Sequence, residues 1–170
     1  SILKNILGYV DTGSHTYADL FREININTGG IAVGLNLFPS AEDAGKVKLA
    51  LGVQIKTLYD KISWSFDTVA EILLSSRLDQ KKRILEILHM LSSRTGEKLS
   101  AAGSATASTR CMSYFSPVGV MNDSFGGVAF YDTLRREEKH FEDASQQLFD
   151  RLAALLAKLF ADSRMLISYT

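Results

Sequence analysis

Residues 28–39 read Thr28-Gly29-Gly30-Ile31-Ala32-Val33-Gly34-Leu35-Asn36-Leu37-Phe38-Pro39, and this stretch decides the fold class. Two adjacent glycines can take positive φ without steric cost, so Gly29 and Gly30 predict a structural turn between a helix and a strand. Beyond them Ile31, Val33, Leu35 and Leu37 alternate with Ala32, Gly34 and Asn36 until Pro39 closes the run. Period-two alternation gives a strand one buried face and one wetter face. Val47, Leu49, Leu51, Val53 and Ile55 repeat the pattern against Lys48, Ala50, Gly52, Gln54 and Lys56. The connector from Ser40 to Gly45 is short, which predicts an antiparallel pair.

Helical patterns surround the pair. Ile2, Leu3, Ile6, Leu7 and Val10 have helical spacing, so the chain enters directly into an amphipathic helix. Thr16 with Asp19 three residues on approximates a capping box, and Leu20, Phe21 and Ile24 form the stripe behind it. Ser63 or Ser65 is expected to cap a helix carrying Phe66, Val69, Ile72 and Leu73. Asp79 is expected to cap another through Ile84, Leu85, Leu88 and Leu91. The small residues from Ala101 to Ser108 predict a continued or resumed helix that packs tightly on a neighbour, since alanine favours helix. Ser116-Pro117 has the form of an N-cap with proline at the first helical position. Gly126-Gly127 introduces Val128, Phe130, Tyr131 and Leu134. A last helix from about His140 carries Leu148, Leu152, Leu155, Leu156 and Leu159, and Met165 to Thr170 predicts a closing strand. The expected fold is α+β, a mainly antiparallel sheet of three strands packed by five or six helices. Three strands make a thin sheet under so many helices.

Composition bounds the function. At 170 residues the chain can bury about 70% of its unfolded surface and make one domain with a real core. Its 19 Lys+Arg and 19 Asp+Glu cancel, which argues against a groove that tracks nucleic-acid phosphates. One cysteine excludes a disulfide framework and a Cys-rich zinc site. No apolar run reaches about 18 residues, so no membrane partner is expected. No secretory signal pattern opens the chain.

Catalytic signals are sparse. A helical zinc site needs two histidines at i and i+4 with a nearby carboxylate, whereas His15, His89 and His140 lie dozens of residues apart. His89, amid Ile87, Leu88, Met90 and Leu91, is expected to be a packed or helix-edge residue. His140 is expected at a solvated, charged helix junction. Cys111 follows Arg110, which in principle lowers a thiol pKa, but no His or Asp stands near it in sequence, and a small buried thiol is the expectation. Ser14, Ser65 and Ser116 are capping residues before they are nucleophiles. Thr28-Gly29-Gly30 precedes a strand, so it is no phosphate loop. Arg135-Arg136 is offset by Glu137 and Glu138. The residues themselves offer no catalytic or metal site.

Read in order, these segments resemble one family. Thr16-Tyr17-Ala18-Asp19-Leu20-Phe21 leading into Asn25-Ile26-Asn27-Thr28-Gly29-Gly30-Ile31 is similar to a segment of presequence-protease-like peptidases. These form the long, single-chain branch of the insulinase (pitrilysin-like) zinc peptidases, which includes falcilysin. Phe66-Asp67, Ala70 to Leu73 and Leu78 to Ile84 resemble two helices of that family. Gly103-Ser104-Ala105-Thr106-Ala107 stands where the family carries a small-residue stretch, with Ser104 in place of His. Phe125 to Tyr131 and Met165 to Thr170 complete the series, so the resemblance covers nearly the whole chain.

The resemblance implies a polypeptide of four homologous α/β domains, the first carrying zinc on an inverted HxxEH helix. The equivalent helix here is Ile2 to Val10, which holds no His and no Glu. The implied identity of residues 1–170 is therefore a single non-catalytic insulinase-like domain, a truncated piece most like the third, from the C-terminal half. It implies a chamber-forming part of an enzyme that degrades unstructured peptides, with no cofactor in this stretch and zinc in the parent's N-terminal catalytic domain. Implied partners are the other domains of the parent and its peptide substrates. An excised piece would expose a sheet edge and could form a homodimer. A bacterial cytosol is the expected compartment, with a mitochondrion or another organelle as the alternative. A free-standing α+β binding or scaffold module is the competing reading.

Overall fold

The computed structural model describes residues 1–43, 45–161 and 165–168. The chain opens with α1 (Ile2–Ile6), then α2 (Tyr17–Asn27), β1 (Thr28–Pro39) and β2 (Val47–Thr57). A 3₁₀ turn at Tyr59–Lys61 leads to α3 (Ile62–Ser75). The rest is helical: α4 (Lys81–Ala101), α5 (Gly103–Met112), α6 (Pro117–Gly126), α7 (Val128–Lys139) and α8 (Phe141–Ala161). The fold is α+β, with 65% of the described residues helical and the helices packed on one antiparallel pair.

The capping chemistry explains where two helices begin. Thr16 Oγ1 accepts a hydrogen bond from the Asp19 N–H and donates to the Asp19 carboxylate, so the expected cap at Thr16 forms. Ser116 Oγ accepts from Gly119 N–H with Pro117 at the first helical position, again as expected. Two other caps are corrected. The 3₁₀ turn starts α3 earlier than expected and carries Ser65 inside the helix, where its hydroxyl is buried and donates to Thr57 Oγ1 at 2.9 Å. Asp79 does not cap α4; Gln80 holds that position, and Asp79 faces Arg77 at 3.7 Å.

The first helix is shorter than its apolar pattern because Gly8 takes φ +83°. The pattern still marks the core face: Leu3, Ile6, Leu7 and Val10 are all buried. They meet Leu20 and Ile24 of α2, Ile72 of α3, Ile84, Ile87, Leu88 and Leu91 of α4, and Phe130 and Leu134 of α7 in one cluster. Phe141 and Phe149 extend the cluster along α8 as an edge-to-face pair with ring centres 6.1 Å apart.

The strand pair follows the expected alternation. Ile31 faces Ile55, Val33 faces Val53, Leu35 faces Leu51 and Leu37 faces Leu49, all in antiparallel register. The helix-to-strand junction has no loop, since α2 ends at Asn27 and β1 begins at Thr28. A register irregularity between Thr28 and Ile31 takes up the change of direction. Gly30 sits there at φ +118°, and Thr28 Oγ1 accepts from its N–H at 3.0 Å while donating to the Ile24 carbonyl at 2.7 Å.

Two expectations fail. Met165 to Ser168 is exposed and pairs with no strand among the described residues, so the sheet has two strands there and not three. The remainder of that expected strand, Tyr169 and Thr170, lies outside the described residues. The small-residue helix forms as α5, but none of its residues is buried. The small residues from Ala101 to Ser108 are exposed, Thr106 alone being half-buried, so they line no tight contact.

Candidate interdomain interface

The chemistry-bearing residues fall into local pairs that fasten elements together. In the loop between α1 and α2, His15 Nδ1 lies 2.9 Å from Glu71 Oε1 on α3, and the Thr12 hydroxyl donates to the same carboxylate. Burial pushes the Glu71 carboxyl up, but hydrogen bonds from Thr12 and His15, the His15 charge and the Ser14 N–H outweigh it, leaving a net lowering. Asp11 accepts from the Tyr17 N–H at 2.8 Å and from the Gln80 amide, which together hold its carboxyl below the ordinary value. Arg83 stands 3.9 Å over the Tyr17 ring and donates to the Tyr9 carbonyl. Thr16, and not Ser14, caps α2, and Ser14 helps fasten the loop through its N–H on Glu71.

A second fastening joins α5, α6 and α7. Asp123 is 2% exposed, and its Oδ2 accepts from Arg110 at 2.6 Å. The other oxygen accepts from the Ala129 N–H at 3.3 Å, so one carboxylate reaches the first turn of α7 as well. The hydrogen bond to Asp123 raises the Arg110 pKa above its ordinary value. Sequence reading missed Asp123; the available signal was a single charged residue in the otherwise neutral run Pro117–Gly126.

The remaining candidates disperse. His89 is a helix-edge residue, exposed and bonded to Glu138 at 3.0 Å. His140 follows α7 at an exposed helix junction, as expected. Arg135 and Arg136 pair with Glu138 and Glu137 at 3.4 and 4.0 Å. Cys111 is exposed, correcting the buried thiol, because α5 turns no face to the core. Arg110 engages Asp123. Among the described residues no three His, Cys, Asp or Glu side chains group to hold a metal ion.

Zinc, the metal of the resembled family, can be tested against the residues of α1. Leu3 and Ile6 point into the core, and Lys4 and Asn5 are the polar side chains of that helix. Asn5 donates to the Ser1 carbonyl. Such a donor set does not fit zinc, which takes thiolate, imidazole or carboxylate.

What the surface does present is apolar area. At the α5–α6 turn Met112, Tyr114, Phe115 and Val120 are exposed, Phe115 by 85%. Leu58 and Tyr59 follow β2, with Tyr59 also 85% exposed. Phe38 and Leu49 crown the hairpin. A groove of about 450 Å³ between the end of α3 and α8 is lined by Leu73, Leu78, Phe149, Leu156 and Phe160. Contact surfaces are marked by exposed apolar residues where they run together into a patch.

Comparison with known proteins agrees with this picture. A family model described as "Peptidase M-16C associated" matches residues 1–136. "Protein HypA" of Clostridium perfringens is 30% identical over 169 residues, 99% of this chain and 17% of that protein. The mitochondrial presequence protease of Danio rerio is 21% identical over 124 residues, 73% of this chain and 12% of its own length. The chain thus spans between 12% and 17% of the length of these relatives.

Proposed function

The chain belongs to the peptidase M-16C associated family, and on that premise we propose that it is a non-catalytic, chamber-forming domain of a zinc metalloendopeptidase that degrades unstructured peptides. Its work is to supply wall and contact surface to the other domains of the parent, and through them to hold peptide substrates. It corresponds to the third of four homologous domains and opens the C-terminal half. The parent's home is a bacterial cytosol, with a mitochondrion or another organelle as the alternative; a single cysteine permits either.

One observation carries the reading. A peptidase-associated family match runs from residue 1, while α1, which the resemblance equates with the zinc helix, spends Leu3 and Ile6 on the core and offers no ligand. On this reading the helix packs as part of the core and supplies no zinc chemistry. The exposed apolar patches are consistent with a domain whose neighbours cover them.

The test compares residues 1–170 with the full-length polypeptide. The isolated chain is expected to bind no stoichiometric zinc by elemental analysis and to cleave no unstructured peptide. The full-length polypeptide is expected to cleave such a peptide and to stop when a chelator is added. Stoichiometric zinc with chelator-sensitive cleavage in the isolated chain, or a full-length protein without peptidase activity, overturns the proposal.

A further inference from the structure

We infer that the free edge of β1, from Ile31 to Phe38, is a strand-accepting interface, and that its occupant is an extended segment of the same polypeptide from outside residues 1–170. The inference rests on the proposal that this chain is one domain of a longer peptidase, and it names where that peptidase joins it.

The sheet has two strands in the order β1-β2, so among the described residues each strand has one unpaired edge. The two edges are not alike. β2 carries Lys48 and Lys56, and Lys46 leads into it. Lysines of this kind are how solvent-facing edges discourage pairing. β1 runs for 12 residues without one charged side chain. An uncharged strand of that length reads as an interior strand, which needs a neighbour on both sides.

The faces say the same. Ile31, Val33, Leu35 and Leu37 with their partners Ile55, Val53, Leu51 and Leu49 make one continuous aliphatic face. Ile31, Val33 and Leu51 pack against the core cluster. None of these aliphatic residues is fully buried, and Leu49 is 43% exposed. A two-stranded ribbon is marginal by itself. A third strand beside β1, with aliphatic side chains at alternate positions, would widen this face. The irregularity near Gly30 and Pro39 at the far end limit the accepting edge to the residues between them.

Three occupants can use such an edge: a strand of the same polypeptide, a second copy, or a substrate peptide. The relatives are far longer than this chain, which covers 17% and 12% of them. A segment tethered in the same polypeptide meets the edge at an effective concentration on the order of millimolar for short linkers. An unguarded edge left open between substrates would also invite aggregation. Both considerations favour the constitutive, tethered strand.

Amide hydrogen exchange read by mass spectrometry decides it, comparing the full-length polypeptide with the chain of residues 1–170. Slow exchange in α4 serves as the control that both are folded. The expected result is exchange at least about ten-fold slower across residues 31–38 in the full-length protein, with residues 47–57 little changed. Equal exchange in both, in a full-length protein that still shows chelator-sensitive cleavage, overturns the edge and leaves the proposed function standing. Protection of 31–38 that rises with concentration of the short chain overturns it in favour of a second copy. Protection in the full-length protein only after an unstructured peptide is added overturns it in favour of substrate. Protection in a full-length protein without peptidase activity supports the edge and removes the proposed function.

Discussion

Replacing Gly119 by alanine sets two physical effects against each other within α6. Alanine in a helix interior is favoured over glycine by up to about 1 kcal/mol, so propensity alone calls for a more stable protein. The surroundings call for the opposite. A Cβ at Gly119 collides with the carbonyl of Met112 and lies 2.8 Å from the Ser113 nitrogen, where ordinary contact begins at 3.4 Å. Both obstacles are backbone at the end of α5, so no side-chain rotation relieves them. Overpacking of this kind costs about 1–3 kcal/mol and outweighs the propensity gain. Urea unfolding followed by far-UV circular dichroism should show a lower midpoint for Gly119→Ala. Gly126→Ala is the control, since beyond its own stretch of helix no heavy atom lies within 4 Å of its Cβ and its φ is ordinary; it should be neutral or slightly stabilising. Because no residue of α5 is buried, that helix has the least to lose by detaching. Amide exchange in Gly103–Met112 should therefore accelerate before the rest of the protein yields. A Gly119→Ala protein as stable as Gly126→Ala, with α5 exchange unchanged, would refute the reasoning.

Two further outcomes follow from the packing and the charges. Leu134 on α7 is 0% exposed in the shared cluster, so Leu134→Ala should lower unfolding free energy by about 2–5 kcal/mol in the same assay. Glu71 and Asp11 both have folded-state pKa values below their ordinary 4.5 and 3.8, so their contributions are fully present above those values and are lost as pH falls through the lowered ones. Unfolding midpoints should drop as pH is lowered below about 4.5, less steeply in Glu71→Gln; an unchanged slope in that variant would remove the Thr12–His15–Glu71 fastening from the account.

What was legible in the sequence was periodic. The alternation from Ile31 to Leu37 and from Val47 to Ile55 fixes both strands and their pairing, because a one-residue slip would turn every aliphatic side chain to the wrong face. Thr16 and Ser116 declare their helices because a capping side chain acts within three residues. The failures are non-local. Ser65 and Asp79 have capping chemistry, but the 3₁₀ turn and Gln80 occupy the positions that would have used it. The Glu71 contacts with Thr12 and His15 join residues more than 50 apart, and no spacing rule reaches that far. Cys111 was misplaced because small residues suggest close packing without saying against what.

The same distinction bears on the interface. Periodicity shows that β1 has an apolar face, but it is blind to edges, since an edge is a property of backbone groups and of whatever lies beside them. Only the strand order reveals that an uncharged strand stands at the margin of its sheet. The exposed Met165–Ser168 segment, patterned like a strand and pairing with none among the described residues, belongs to the same class of evidence. In both places local sequence asks for a strand neighbour that the described residues do not provide. A domain built to stand alone would resolve such conflicts, because local preference and global packing agree in sequences that fold to one state. On the proposed reading, one that forms part of a larger wall leaves them for its neighbours, which would put the conflicts on the sheet and not in the helical core around Ile6 and Leu88.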